Sequence, residues 1–530
     1  MKRYLVLILN LCVAFGALSN IRLTKEEIQI AALSYYQKVT ANSPKEYSVG
    51  EPESFSLLGL AEMWLLPVND CWLLVSSDKR TEAILARFLT SEKPDLYAYP
   101  PAAQYLISCY EHNIAFVRDS CKDCPIRSSW REYTDKHDTT FDKSRERLSS
   151  VEPLLGEMAW KQSRNNTPPA DCSHIYNKFC PYISTSDTTL CGHAVAGCVA
   201  VALGQIMRYW KWPYSAYVPT TVGGDTKELK FYNWDVMPLL LNNSTNIASV
   251  NAVAGLLRDI GYDTDMNYGE SSGTSDNKAR ETFVHYGYDD NTMTLRYKLI
   301  TPGWTNILHS EIAAGRPVYY GGYEMQGGGH TFVLDGYDAG DLYHVNLGWG
   351  AFYNDYYLID TLFPDLQTAI WGIQPAANYC SPLTIQSVTG SKFCIANAGM
   401  VTLDAVQMQN ITDGRIFSET GITLTEGTSI ANGCHVLFDI KPIPCDPPGA
   451  PAFNNHRYME NEETVVEHIT NQYAQDPPLK YLEIYSIDGK LVRQSSNMET
   501  VISSLSNGVY IVKAIMESGD FFQSKILIQK

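Results

Sequence analysis

After its first twenty positions, this 530-residue sequence contains no apolar run long enough to cross a bilayer, which argues against an integral membrane segment. It has no basic surplus either. Its 41 Lys and Arg stand against 58 Asp and Glu, a formal charge of -17, so nucleic acid is excluded as a natural partner. No block of like charge marks an acidic or basic tail. The 13 cysteines are scattered and do not form a dense disulfide framework. Cys121 and Cys124 have zinc-knuckle or redox spacing, but no second pair or nearby histidine completes a metal site. The stretch from Asp263 alternates oxygen ligands like a calcium loop. Its sixth position is Tyr268, not glycine, and its twelfth is Thr274, not glutamate. No metal and no cofactor is expected, and no strict internal repeat is visible.

What is present divides the chain. Two basic residues, Lys2 and Arg3, precede a short apolar run ending in small residues, which reads as a secretory signal peptide over residues 1–19. The length calls for three or four domains. Residues 20–150 alternate helical and strand-like stretches, with Thr24 placed to cap a first helix, and end in a polar, Lys- and Arg-rich linker at 135–150. A compact unit before an exposed linker, ahead of a reactive cysteine, predicts an inhibitory propeptide. Residues 151–378 read as helices first (around Cys198, 249–261 and 275–286) and strands later (316–358), an α+β order. Residues 379–455 form a β-rich region, with a Pro- and Asn-rich linker at 442–456. The last stretch, 456–530, reads as a small β-sandwich.

The chemistry centres on Cys198. The small-residue turn Ala196-Gly197 runs into a stretch where Val199, Leu203, Ile206 and Trp210 recur at helical spacing. That places Cys198 at a helix start, where unpaired amides and the positive dipole end favour a thiolate. A structural cysteine packed under a helix is the plain alternative. A thiolate nucleophile needs a base, a group to orient the base and donors for the oxyanion. His330 follows three glycines and opens a strand about 130 residues downstream, a separation found in papain-like enzymes. Trp349, in the next strand, falls about opposite His330 by register and is placed to shield the imidazole. Asn346 is positioned to accept from the imidazole N–H if a bulge near Gly348 turns it. Gln162 is an upstream side-chain amide able to join the Cys198 N–H in an oxyanion hole. His344 reads as a structural strand residue.

Three stretches together resemble the streptopain-like (interpain-like) cysteine peptidases of the papain-like clan. They are Gly197-Cys198-Val199-Ala200 with Gln205 to Pro213, Tyr268 to Thr274, and Arg316 to Gly322 with Gly328 to Gly336. The resemblance covers residues 151–378 and extends to Trp72 through Leu85, which is similar to the family's inhibitory propeptide. It implies a zymogenic endopeptidase with Cys198 as nucleophile, His330 as base and Gln162 as oxyanion-hole amide. It further implies that Ser272, Thr274 and the backbone of Gly329 line the substrate cleft. Protein or peptide substrates with an apolar residue before the scissile one would follow. The family's usual Trp two positions before Trp349 is here Leu347. The last fifty residues resemble a type IX secretion sorting domain, on Tyr485 to Lys490, Gly508 to Val512 and the terminal Lys525 to Lys530. That implies export to the cell surface or medium and the secretion machinery as a partner. The competing readings are a peptidase-fold surface adhesin with a weakened site, which Leu347 favours, and an amidase or transglutaminase using the same dyad.

Overall fold

The computed structural model describes residues 23–40, 47–99, 101–121, 124–134, 150–163, 172–324, 328–360, 366–432, 434–440, 443, 479–486, 491–495, 508–516 and 521–528. The expected signal peptide, most of the linker at 135–150 and the linker at 442–456 (Ile443 apart) lie outside them. The fold is α+β.

The N-terminal region opens on helix α1 (Lys25–Val39), where Thr24 and Glu27 form a reciprocal capping box that satisfies two orphan amides. Four strands follow as an antiparallel meander: β1 (Glu53–Phe55), β2 (Met63–Val68), β3 (Cys71–Ser76) and β4 (Ile84–Phe88). Helices α2 (Pro101–Ser120) and α3 (Ser128–Thr134) complete it. Cys121 and Cys124 are joined in a disulfide, and a second disulfide links Cys172 to Cys191.

The next region supplies α4 (Cys198–Trp210), a two-stranded ribbon of β5 (Ser215–Pro219) and β6 (Lys227–Phe231), α5 (Ile247–Asp263) and α6 (Asp276–His285). After β7 (Thr294–Tyr297) comes a second antiparallel set: β8 (Val318–Glu324), β9 (Gly328–Tyr337), β10 (Tyr343–Asn346), β11 (Asp355–Tyr357) and β12 (Leu366–Trp371). Helix α4 has almost no polar face: ten of its residues are buried. It is enclosed by α5, α6 and the sheet, which is why its hydrophobic pattern is nearly continuous.

The sequence reading separates the N-terminal unit from the following domain at residue 150. The backbone joins them in one sheet, with strands in the order β1-β2-β3-β4-β11-β10-β9-β8-β12. The seam is β4 against β11, pairing Tyr356 with Arg87 and Tyr357 with Ala86. At this seam Arg87 lies over the Tyr356 ring at 4.1 Å and 3.3 Å from Asp338, while Tyr35 donates to the same carboxylate. Asp338 also accepts from the amides of Gly340 (2.9 Å) and Leu342 (3.1 Å), closing the β9–β10 turn. Thus α1 and β4 both grip the hairpin that carries His330.

The β-rich region is a small solenoid of parallel strands. Leu383–Ile385, Val401–Leu403 and Ile422–Leu424 stack on one face. Lys392–Asn397, Asp413–Ser418 and Val436–Ile440 stack on a second, and Gln407–Met408 pairs with Ser429–Ile430 on a third. Each coil takes about twenty residues, the scale of repeat architectures, although no strict repeat is visible in the sequence. The coils have unequal lengths, and what recurs is only the inward position, filled by Val401, Leu403, Val406, Met408, Ile411 and Ile416. The described strands near the C-terminus form one antiparallel sheet, in the order Leu491–Ser495, Leu479–Ser486, Gly508–Met516, Phe521–Ile528. A second layer, as the sandwich expectation requires, is not found among the described residues.

His309 is buried against Tyr337 and stacks on Tyr343 with ring centroids 4.8 Å apart, and burial lowers its pKa to about 4. Its folded pKa lies below the unfolded value. It therefore stabilises the fold above about pH 6.5, and that contribution drains away as pH falls towards 4. His309→Phe is expected to shrink the drop in urea midpoint between pH 7 and pH 5, by an amount on the order of 1 kcal/mol.

Candidate active site

Helix α4 begins at Cys198 because Gly197 turns the chain into it. Gly197 has φ 89°, and a Cβ there would lie 2.9 Å from the Met266 sulfur and 3.2 Å from the Ser272 carbonyl oxygen. Glycine alone fits both the angle and the space. The helix start carries no side-chain cap, so its first amides stay available to the Cys198 sulfur. The thiol is not acidified in this arrangement. Burial pushes its pKa up, against the amides of Thr331, Val199 and Cys198 and the Thr331 hydroxyl, which pull it down. The expected thiolate is thus a protonated thiol here, because desolvation outweighs the helix start.

His330 sits on β9 directly before Thr331, and successive strand residues face opposite sides. Thr331 shares the face of Val333, which packs in the core that α4 fills. His330 faces the other side, with Phe332 at 6.1 Å and Trp349 at 6.1 Å between ring centroids. Among the described residues, Cys198 and His330 are not hydrogen-bonded to each other. The imidazole Nε2 lies 3.0 Å from the Leu347 carbonyl oxygen and 3.2 Å from the Trp349 indole nitrogen. The two contacts call for opposite tautomers: the carbonyl can only accept and asks for a proton on Nε2, whereas the indole N–H can only donate and asks for a bare Nε2. Burial lowers the His330 pKa to about 4, partly offset by the Leu347 carbonyl, so the ring is a neutral base at neutral pH.

Asn346 does not orient His330, contrary to the sequence expectation. It is buried, its Nδ2 donates to the Met158 carbonyl at 2.7 Å, and its Oδ1 accepts from Gln205 (2.9 Å) and the Gly348 amide (3.2 Å). The register shift falls at His344/Val345, not near Gly348, and it leaves the Asn346 side chain on the interior. The orienting acceptor is a backbone group, the Leu347 carbonyl, which any residue supplies. Asn354, missed in the sequence, holds the preceding peptide unit: its Oδ1 accepts from the Leu347 amide at 3.1 Å and its Nδ2 donates to Met158 at 3.1 Å, while the unit that bears the Leu347 carbonyl is held through the Gly348 amide by Asn346. No sequence signal distinguishes it from a loop asparagine.

Gln162 lies beside both halves of the site. Its carbonyl accepts from the Ala196 amide at 2.8 Å, two residues before Cys198, and neighbouring Lys161 bridges to Trp349. Its side-chain amide makes no hydrogen bond among the described residues. Ser272 and Thr274 do not offer free hydroxyls as cleft-lining residues would. Ser272 accepts from the Gly269 amide at 3.0 Å, and Thr274 donates to the Thr264 carbonyl at 2.6 Å. Both side chains hold the loop in shape, and it is the Ser272 backbone that approaches Gly197. Gly329 is exposed on β9, paired with Tyr323. His344 is a structural residue: its Nδ1 meets Asp335 at 2.6 Å, and that carboxylate raises its pKa against burial, which lowers it. Among the described residues, no group of three or more His, Cys, Asp and Glu side chains is arranged to hold a metal ion.

A cysteine at a helix start packed on a sheet that carries a buried histidine supplies the residue types a thiol hydrolase uses, on an α+β fold. The comparisons agree. Residues 171–357 match the Peptidase C10 family. The thiol protease/hemagglutinin PrtT of Porphyromonas gingivalis is 28% identical over 58% of this chain and 36% of its own length. Streptopain of Streptococcus pyogenes is 25% identical over 67% of this chain and 93% of its own. The chain thus spans about a third of the first relative and nearly all of the second. Among solved structures, a Prevotella intermedia prointerpain A fragment matches with TM-score 0.47 and 22% identity, covering 61% of this chain and 98% of that one. The chain carries a streptopain-like cysteine peptidase domain.

Asn354→Ala releases the Leu347 amide, one peptide unit before the carbonyl that meets His330, while Asn346 still holds Met158. Misplacing a catalytic base by a fraction of an ångström costs on the order of tenfold to a hundredfold in rate. Steady-state kinetics on a peptide substrate are expected to show that fall in kcat with KM little changed.

Proposed function

We propose that the protein is an exported, zymogenic cysteine endopeptidase. The Cys198 thiolate attacks a peptide carbonyl, and Gln162 with the Cys198 amide receives the developing oxyanion. His330, protonated by the thiol, passes that proton to the leaving amine; water then releases the acyl-enzyme. The observation that carries this reading is the packing of the Cys198 helix start against β9, whose His330 Nε2 lies 3.0 Å from the Leu347 backbone carbonyl. The substrate preference is for an apolar residue before the scissile one. The N-terminal signal and the C-terminal sheet serve export through a type IX secretion route. The adhesin reading loses one of its supports, since Leu347 meets His330 through its backbone carbonyl and the side-chain change leaves that contact intact; the long β tail still favours it.

The dormant geometry is what a zymogen needs. The thiol and the imidazole are not hydrogen-bonded to each other among the described residues, and burial raises the pKa of the first and lowers that of the second. The N-terminal region grips the same hairpin through Tyr35, Arg87 and the β4–β11 seam. Residues 20–150 act as the propeptide by holding that hairpin until cleavage within 135–150 frees it.

Cys198→Ala is expected to abolish casein cleavage and leave the chain unprocessed; a variant that still cleaves casein and matures would overturn the reading. Arg87→Ala leaves the buried Asp338 without its cation, a loss of about 3–5 kcal/mol. Time-course gels are expected to show earlier accumulation of mature enzyme than in the wild-type chain.

A further inference from the structure

Lys161 is a cation without a counter-charge, and it stands beside the candidate base. Its backbone bridges antiparallel to Trp349, whose indole nitrogen lies 3.2 Å from the His330 Nε2. Its side chain runs across the next residue, Gly350. There φ is 93°, and an added Cβ would collide with the Lys161 Cε and lie 3.1 Å from its Nζ. Glycine is what lets the methylene stem lie on the chain at this point, and Gly350 is buried. The lysine itself is half-buried, and its ammonium makes no ion pair or hydrogen bond among the described residues. Burial lowers its pKa, and no neighbouring charge acts the other way. Lys79, also partly covered, sits 2.7 Å from Glu27. Lys161 thus gives up part of its hydration with nothing in the protein to repay it.

We propose that Lys161 is a specificity-determining residue that receives a carboxylate of the substrate on the leaving-group side of the scissile bond. This rests on the reading of Cys198 as nucleophile and His330 as proton donor to the leaving amine. In that reaction the departing amine must come within hydrogen-bond reach of His330. Trp349 touches that ring, so the substrate segment after the scissile bond runs past Trp349 and Gly350, where the ammonium lies. An acidic side chain within the first residues after the bond carries the charge this position lacks, as does a free C-terminal carboxylate at the same distance. The stem already rests on Gly350, so little side-chain freedom is lost when the pair forms. A chain of formal charge -17 repels anionic substrates at long range, and a local cation is what lets the site accept one. Consecutive residues then serve the two sides of the scissile bond: Gln162 the carbonyl and Lys161 the departing segment.

The test compares quenched fluorogenic peptides that differ only after the scissile bond: Glu against Gln with an amidated C-terminus, and a free against an amidated C-terminus with Gln. The enzyme is the full chain left to process itself. The wild type is expected to cleave the anionic member of at least one pair with a kcat/KM about fivefold higher, the scale of one partly shielded ion pair, and to lose that preference as salt is raised. A preference in the first pair identifies an acidic side chain as the ligand, and one in the second a chain terminus. Lys161→Met keeps the apolar stem and removes the charge, so its ratios are expected to fall to about one, while Lys161→Arg keeps the preference. Each ratio is taken within one enzyme, so a general loss of activity cancels. Wild-type ratios near one in both pairs overturn the proposal, as does a preference that survives in Lys161→Met; should the Met variant not fold, Lys161→Gln is read in its place. Cys198→Ala is the separate check. If it is inactive while the wild type cleaves all the peptides alike, the nucleophile stands and only the role of Lys161 falls; cleavage by Cys198→Ala overturns both.

Discussion

The two-residue period of β9 governs the site. Val333 packs in the core that α4 fills, so by alternation Thr331 shares that face and His330, one position earlier, faces the Leu347–Trp349 segment. Three glycines, Gly327, Gly328 and Gly329, precede His330 in the sequence, where the chain carries no side chains.

The supports of the imidazole are largely main chain. The Leu347 carbonyl meets Nε2, Asn346 holds that carbonyl's peptide unit through the Gly348 amide, Asn354 holds the Leu347 amide, and both asparagines hold the Met158 carbonyl, from which the chain continues to Gln162. One acceptor, Met158, thereby couples the segment that carries the candidate oxyanion amide to the loop that steadies the candidate base. Such a network is indifferent to the identity of residue 347 but sensitive to both asparagines, because each satisfies groups that burial would otherwise leave unpaired.

The sequence made the α+β class, the helix start at Cys198, the His330 strand and the proximity of Trp349 to His330 legible, since all follow from local periodicity and register. It misplaced Asn346, because a shift at His344/Val345 several residues away decides which way that side chain points. Asn354 was missed because it acts through a backbone group and leaves no pattern. The seam between β4 and β11 was invisible because it joins segments far apart in the chain, and pairing of that range depends on tertiary packing. The solenoid was hidden because its coils differ in length.

The seam carries a physical consequence for regulation. Arg87, Tyr35 and Asp338 form a buried cluster in which Asp338 is pushed up by burial and pulled down by Arg87. Buried ion pairs contribute little net stability but are costly to break one partner at a time. They therefore act less as glue than as a latch: docked, all three groups are satisfied; partly undocked, each is left in poor surroundings. Release is then cooperative, and the His330 hairpin goes from held to free without stable half-open states. Intact β4–β11 pairing reinforces this, because its backbone bonds also break as a row. On the proposed reading of residues 20–150 as a propeptide, loss of the N-terminal region would act on the same turn that closes β9 and β10.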